Sequence, residues 1–383
     1  VTLRLPLVYA LTDAGASGVA DPAELARRLL DVGVRAVQLR EKAMADRELL
    51  RSAEAIAPLA RAAGAAFLVN DRVDVARICG SGVHLGEEDL PPEAARALLG
   101  PGAAIGVSTH DADAARRAFA ASAADYVAFG PVFDSGTKTQ WPARGLEALA
   151  RAAEHKTRPL VAIGGITVER LDAVWDAGAD SAAMIAGLYA GGRRRIEENA
   201  RAALDRARRR RPPRRVYLVG FMAAGKTTIG RRVAERLGTP FVDLDEEIER
   251  TSGRTIRALF EESGEAAFRE RESAFLAATE SLPAAVVATG GGCFAQEENR
   301  RRIARLGTAV FLDADFAAIR ARLRGKTDRP LFVSEEQLAG LFAQRAPFYR
   351  MAPVSVRLGG AETIEQAADR VLTALDDNDR IPI

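Results

Sequence analysis

Short apolar runs alternate with amphipathic stretches along the whole chain. In the first half the runs are Val8–Thr12, Ala36–Arg40, Phe67–Asp71, Val83–Gly86, Ile105–Thr109, Tyr126–Phe133, Leu160–Ile166 and Ser181–Ala186. Continuous apolar runs of this length read as strands buried on both faces. Between them, segments such as Asp21–Val32, Asp46–Ala63 and Asp111–Ala121 carry apolar residues at helical spacing. Strand–helix alternation repeated eight times predicts an α/β fold, a (β/α)8 TIM barrel, whose chemistry gathers at the strand C-terminal ends. The second half alternates too. Val216–Val219 leads into a Gly-rich turn and a helix. Phe241–Asp245 then reads as a strand with two acids on one face, followed by strands at Ala285–Thr289, Ala309–Leu312 and Val354–Leu358 and a helix at Thr363–Leu375. That order predicts a parallel sheet flanked by helices.

The two patterns meet in a basic stretch. Ile196, Ala200, Ala203 and Leu204 sit at helical spacing, so a last helix is expected through Ala207. Residues 208–215, with Pro212 and Pro213, read as a basic linker between domains 1–207 and 216–383. The Arg-rich run reads as a solvated helix end, with an RNA tether as the rival. A chain of 383 residues with 48% apolar residues has ample core for two domains, and its net charge of +2 argues against a nucleic-acid partner. Cys79 and Cys293 have no redox or metal spacing, and no apolar run is long enough for a membrane span. A cytoplasmic enzyme of small molecules is expected, with neither nucleic acid nor membrane as partner.

The turn after Val219 satisfies the P-loop pattern with Gly220, Gly225, Lys226 and Thr227. Its amides and the following helix N-terminus would seat the phosphates of a nucleoside triphosphate. Lys226 would reach the β- and γ-phosphates, and Thr227 would ligate Mg²⁺. No histidine occurs from Arg214 onward, which leaves an aspartate as the group near an acceptor hydroxyl. Widely spaced arginines could clamp a carboxylate, and Gly290-Gly291-Gly292 would let a substrate approach the backbone. As ordinary structure, the glycines would be a flexible turn and the paired Asp residues a helix cap.

The barrel's strand ends are polar: Gln38 to Lys42, Asn70-Asp71, Glu87-Glu88-Asp89, Ser108-Thr109-His110 and Ser135 to Lys138. Asp71 and Asp89 could share a Mg²⁺ that keeps most of its waters. Arg40, Lys42 and Lys138 could neutralise a phosphorylated group, and Gly164-Gly165 with Ala186-Gly187 could bind phosphate through amides. Of the three histidines, His84 reads as a strand residue, His155 as a helix-end residue, and only His110 lies near these ends.

Two resemblances attach to these residues. From Leu7 to Gly191, Q-L-R-E-K, V-N-D-R, H-L-G-E-E-D-L, G-V-S-T-H, G-T-K and A-I-G-G-I occur in the order found in thiamine-phosphate synthases. The resemblance implies joining a hydroxymethylpyrimidine diphosphate to a thiazole phosphate with release of pyrophosphate. It assigns Gln38, Arg40, Lys42, Asn70, Ser108 and Lys138 to the pyrimidine diphosphate, with Lys138 facing the departing pyrophosphate. Asp71 and Asp89 take Mg²⁺; Ser135, Thr137, Gly165, Ile185 and Ala186 take the thiazole phosphate. The chain departs from the family at Asp134-Ser135, where F-P-T is usual, and at Ala186, where a serine is usual. A related tautomerase branch would place a histidine after the sixth strand, where this chain has Pro131.

From Val216 to about Leu375 the chain resembles shikimate kinases through G-F-M-A-A-G-K-T-T-I-G, D-L-D-E-E-I-E, A-F-R-E-R-E, G-G-G, D-R-P-L and R-A-P-F-Y-R. The resemblance implies ATP-dependent phosphorylation of the shikimate 3-hydroxyl. Gly220, Ala223, Ala224, Gly225, Lys226, Thr227 and Thr228 would hold the nucleotide, with Asp243 holding Mg²⁺ through water beside Thr227. Asp245 would orient the hydroxyl; Arg269, Arg345 and the Gly290–Gly292 backbone would hold shikimate. Arg329 would close from a lid, and Arg324, or Arg322 before it, would stack on adenine. Ala223 replaces an inner glycine, Thr227 the commoner serine, and Phe332 a leucine. The chain is thus expected to be bifunctional. The rivals are a P-loop kinase for another small hydroxy compound, such as gluconate, and a kinase carrying a catalytically silent, ligand-sensing barrel.

Overall fold

The computed structural model describes residues 5–120, 123–134, 141–211, 214–323, 335–359 and 362–378. The chain divides after Arg210 into two compact units.

The first unit closes eight parallel strands into a barrel: β1 (Val8–Leu11), β2 (Ala36–Leu39), β3 (Ala66–Asn70), β4 (Gly82–Leu85), β5 (Ile105–Thr109), β6 (Tyr126–Phe129), β7 (Leu160–Ile163) and β8 (Ser181–Met184). Nearly every strand residue is buried, since the barrel interior covers one face and the helices the other. β8 closes against β1 with Tyr9 opposite Ala183.

Three strands stop two or more residues earlier than their apolar runs predict. β6 ends at Phe129 because Pro131 has no N–H to continue the ladder. Pairing resumes only as single bonds, Val132 N to Ile163 O (2.8 Å) and Phe133 N to Gly164 O (3.0 Å). β7 ends at Ile163 because Gly164 and Gly165 turn away with φ of 101° and 60°. β8 ends at Met184, and Ala186 begins a helical turn.

The helix that ends this unit, Ile196–Arg209, runs two residues past the expected Ala207. Arg208 is buried and donates to Asp205 at 2.8 Å, whereas Arg209, Arg210 and Arg211 are exposed, so Arg208 alone departs from a solvated helix end here. Pro212 and Pro213 lie outside the described residues.

The second unit is a five-stranded parallel sheet in the order β10 (Phe241–Asp243), β11 (Ala285–Ala288), β9 (Arg215–Val219), β12 (Thr308–Ala314), β13 (Val354–Leu358). The chain leaves β9 toward one edge and returns to its other side with β12, so the loop after β9 sits where the strand order reverses. Ligands gather at such points in open α/β sheets. Helix Lys226–Leu237 follows that loop and packs against the last helix, Ile364–Asn378, through Arg236, which donates to Asp369 at 2.7 Å with both side chains buried.

The expected strand Phe241–Asp245 is shorter. β10 ends at Asp243, which caps helix Leu244–Ser252 by accepting from the amides of Asp245 (3.0 Å) and Glu246 (3.5 Å). The two acids therefore belong to a strand end and a helix's first turn, not to one strand face.

Candidate active sites

In the second unit the P-loop leaves β9 through Gly220 at φ 143°, and Gly225 at φ 100° precedes the helix without any side-chain cap. The uncapped first-turn amides face the loop and make an anion seat. Ala223 adopts φ 57°, a conformation that glycine reaches more easily. Ala223, Gly225, Lys226, Thr227, Thr228, Asp243, Asp245 and Arg322 line one cavity of about 560 Å³. Gly220 and Ala224 shape the loop rather than the cavity wall; Ala224 is fully buried. Lys226 Nζ donates to the carbonyls of Gly220 and Phe221, both at 2.9 Å. Thr227 Oγ1 donates to Asp243 Oδ2 at 2.7 Å, which places a hydroxyl and a carboxylate together beside the phosphate seat. Such an all-oxygen pair suits Mg²⁺ held partly through water. Arg322 donates to the Ala223 carbonyl at 3.1 Å and so lies over the nucleotide cavity. Arg324 and Arg329 lie outside the described residues.

Of the three glycines after β11, Gly290 and Gly292 have a steric reason to be glycine, not the turn conformation of a flexible loop, while a side chain at Gly291 would meet only ordinary contacts. None has a positive φ. A Cβ at Gly290 would lie 2.9 Å from Asp245 Oδ1 and overlap Glu272; one at Gly292 would overlap the Arg269 guanidinium; one at Gly291 would lie 3.6 Å from Arg345 Nη1. The backbone is thus pressed against Asp245, Glu272 and Arg269, with Arg345 beside it at ordinary contact distance. Arg345 is buried, and burial with the like charge of Arg269 holds its guanidinium below the usual range, opposed by the Tyr349 hydroxyl. Tyr349 in turn donates to the Gly291 carbonyl.

Glu272 was not among the expected site residues. It is fully buried and accepts from Arg269 Nη1 at 2.8 Å, while its Oε1 has no hydrogen-bond partner among the described residues. Burial pushes its carboxyl above the ordinary range, against the pull of Arg269. Its spacing of three from Arg269 places it on the same helix face, the one signal the sequence carried.

In the first unit, Gln38, Arg40, Lys42, Asn70, Asp71, Asp89 and Ser108 line a cavity of about 580 Å³ at the C-terminal mouth of the barrel, together with Glu87, Glu88, His110 and Trp141. Asp71 sits at φ 64°, where Asp is tolerated better than most residues. Burial, then a hydrogen bond and the like charge of Asp89, push its carboxyl up to about 6, against Lys42 and Arg40. Two carboxylates forced together in this way fit a divalent cation. Among the described residues no group of three or more His, Cys, Asp or Glu gathers as a metal cluster, so a cation here would keep much of its water. Asp89 is held by the Gly86 amide at 2.6 Å, and Arg40 pairs with Asp13 at 3.4 Å.

Gly165, Ile185 and Ala186 stand after β7 and β8 on the same rim but do not line that cavity. A Cβ at Gly165 would overlap the Asp134 carbonyl and Phe133. Ser135, Thr137 and Lys138 lie outside the described residues. His110 lines the cavity as expected; its Nδ1 donates to the Gly130 carbonyl at 2.6 Å and its ring stacks on Trp141 at 4.5 Å. His84, expected only as a strand residue, is also on the cavity wall, hydrogen-bonded to Tyr126 and Ser108. Its partners lie 24 and 42 residues away, so no local pattern could reveal it.

A family model described as thiamine monophosphate synthase matches residues 8–188, and one described as shikimate kinase matches residues 222–376. The chain is 43% identical over 182 residues to a thiamine-phosphate synthase from Chlorobium luteolum, covering 47% of this chain and 84% of that one. It is 42% identical over 201 residues to a thiamine-phosphate synthase from Methanoculleus marisnigri, covering 52% of this chain and 94% of that one. Over 163 residues it is 44% identical to a shikimate kinase from Ruegeria pomeroyi, covering 42% of this chain and 84% of that one.

Proposed function

The chain belongs to the thiamine-phosphate synthase family through its first unit and to the shikimate kinase family through its second, and from that premise we propose the substrates and residue roles of a bifunctional transferase. The kinase unit transfers the γ-phosphoryl group of ATP to the shikimate 3-hydroxyl. The P-loop amides and Lys226 hold the β- and γ-phosphates, and Asp245 orients the acceptor hydroxyl and takes its proton. Arg269 and Arg345 grip the shikimate carboxylate, with Glu272 holding Arg269 in place. Mg²⁺ held by Thr227 and Asp243 would neutralise charge on the phosphates. Arg322, already against the P-loop, serves adenine, in the role also expected of Arg324; Arg329 closes over the phosphates. The observation that carries this reading is the glycine triplet, around which Asp245, Glu272 and Arg269 leave no room for a side chain and Arg345 stands alongside.

The barrel unit condenses a hydroxymethylpyrimidine diphosphate with a thiazole phosphate. The bond between the methylene carbon and the diphosphate oxygen breaks, pyrophosphate leaves, and the thiazole nitrogen forms the new carbon–nitrogen bond. Arg40, Lys42, Asn70 and Lys138 hold the diphosphate, and Mg²⁺ at Asp71 and Asp89 would stabilise its developing charge. Gln38 and Ser108 face the pyrimidine. Ser135, Thr137, Gly165, Ile185 and Ala186 hold the thiazole phosphate, with backbone donors standing in for the absent serine at Ala186. The paired carboxylates at the mouth of a cavity lined by Arg40 and Lys42 support this reading over a silent barrel.

Both readings are tested by adding substrates one at a time to the intact protein. Shikimate should raise ADP formation above background hydrolysis, and the two thiamine precursors together should release pyrophosphate. ADP formation that ignores shikimate rejects the acceptor, and absent pyrophosphate leaves the barrel a binding domain.

A further inference from the structure

Arg269 carries two carboxylates before any acceptor arrives. It lies on helix Ile256–Ala278, which is broken at Gly264 (φ 78°, ψ 171°), so Glu265 opens a new helical segment one turn before it. Glu265 Oε1 accepts from Arg269 Nη2 at 3.0 Å and from its Nε at 3.3 Å. Glu272 Oε2 accepts from Nη1 at 2.8 Å. The two acids are not equivalent. The Glu272 side chain is 0% exposed and the Glu265 side chain 55%.

A guanidinium meets a carboxylate side-on through Nε and Nη2, whose N–H groups are parallel. The rest of the group is taken here. Glu272 holds Nη1, and a Cβ on Gly292 would overlap Nη1, Cζ and Nη2 alike, so backbone covers that end. The Phe268 ring centroid lies 5.3 Å from Cζ. The edge left for a ligand is therefore the one that Glu265 occupies, and Glu265 occupies it with a single oxygen. Its charge also reaches Arg345, where with the Tyr349 hydroxyl it opposes burial and the like charge of Arg269. Glu265 thus acts on both arginines to which the acceptor's carboxylate was assigned.

We propose that Glu265 is a tethered competitor for the acceptor's carboxylate: it fills the open edge of Arg269 in the empty site and must swing into water before the acceptor is seated. The proposal rests on the kinase reading of this unit. An acceptor carboxylate brings two oxygens to an edge that Glu265 holds with one, so the exchange favours the acceptor. Arg269 does not follow the departing glutamate, because Glu272, the Gly292 backbone and Phe268 keep it in place. In the empty site the pair neutralises a mostly buried guanidinium and keeps abundant small anions, which make fewer contacts, off the clamp. Glu265 touches no reacting atom. It opposes binding of the ground state and the transition state alike, and so raises KM while leaving kcat as it is.

Steady-state kinetics of the full chain, with shikimate varied at saturating ATP, tests this. Glu265→Gln keeps the length and helical preference of the side chain and removes its charge. Its shikimate KM is expected to fall about three- to fivefold, the worth of an exposed ion pair, with kcat and the ATP KM unchanged. Glu265→Ala should fall at least as far, and it carries the test if the glutamine variant does not fold. Glu265→Asp keeps the charge but draws the carboxylate back by one methylene from an arginine that cannot follow, so it too should lower KM. A shikimate KM that is unchanged or raised in the Gln and Ala variants overturns the proposal, since a mere helix ion pair or a support for Arg269 predicts that result. A wild-type KM in Glu265→Asp beside a lowered one in Glu265→Gln also overturns it, because net charge and not occupation of the edge would then be responsible. A wild-type chain whose ADP formation ignores shikimate refutes the acceptor itself, and the proposal with it. That result is distinct from an active wild type whose KM does not respond to Glu265.

Discussion

Arg269 donates through Nη1 to Glu272 Oε2 at 2.8 Å, and the Gly292 backbone lies directly against the same guanidinium. The arginine is fixed from two sides, by a buried carboxylate and by a residue without a side chain. Gly292→Ala must therefore push Arg269 aside. The shikimate KM is expected to rise at least about tenfold with the ATP KM nearly unchanged, because only ground-state binding of the acceptor depends on that guanidinium. Steady-state kinetics with each substrate varied in turn checks this.

Ala223 holds the P-loop at φ 57°. Ala223→Gly should be neutral or stabilising by up to about 1 kcal/mol, since relief of the left-handed strain is partly offset by a freer unfolded chain. Ala223→Val should cost about 2 kcal/mol, because a β-branched residue fits that conformation worst. Denaturant unfolding of the two variants beside the wild type separates them.

Burial and the neighbouring Asp89 push the Asp71 carboxyl up to about 6 in the folded barrel, against 3.8 for an ordinary carboxyl. Above pH 6 the folded state carries a charge it disfavours relative to the unfolded chain; below 3.8 the two states are equally protonated. Without Mg²⁺, Asp71→Asn should therefore stabilise the barrel at pH 8 by about 1 kcal/mol, a figure reduced for solvent screening, and do nothing at pH 3.5. Asn also tolerates the positive φ. Added Mg²⁺ should reverse the order at pH 8, because only the wild type has both carboxylates to bind it. Thermal melts at the two pH values, with and without Mg²⁺, read out all three outcomes.

The buried pair of Arg236 and Asp369 ties the P-loop helix to the last helix. Arg236→Met takes the guanidinium away from the buried Asp369 carboxylate and should destabilise the kinase unit by about 3–5 kcal/mol; replacing both residues by apolar ones should cost much less. Calorimetry of the single and double variants makes the comparison.

Much of the fold was legible because parallel strands are buried on both faces and print as unbroken apolar runs, such as Val216 to Val219 and Ala285 to Ala288. The errors came where an apolar run outlasts its ladder. Pro131 removes a donor and Gly164-Gly165 turn the chain, yet Val132, Phe133 and Ile166 remain apolar because they pack inward. Asp245 was placed on a strand face beside Asp243 because alternation cannot distinguish the end of a strand from a helix's first turn. In the sites, Lys226, Thr227, Asp71 and Asp89 announce themselves through local motifs or adjacent strand ends. Glu272 and His84 do not, since each gains its meaning from groups that only folding brings near: Gly290 for one, Tyr126 and Ser108 for the other.

Two separate sites on one chain are tested most directly by crossing their knockouts. The intact protein, Lys226→Ala and Asp71→Ala would each be assayed for shikimate-dependent ADP formation and for pyrophosphate release from the two thiamine precursors. Lys226→Ala should abolish the first activity and spare the second, and Asp71→Ala should do the reverse. Loss of both activities in either variant, or survival of ADP formation in Lys226→Ala, would contradict the assignment.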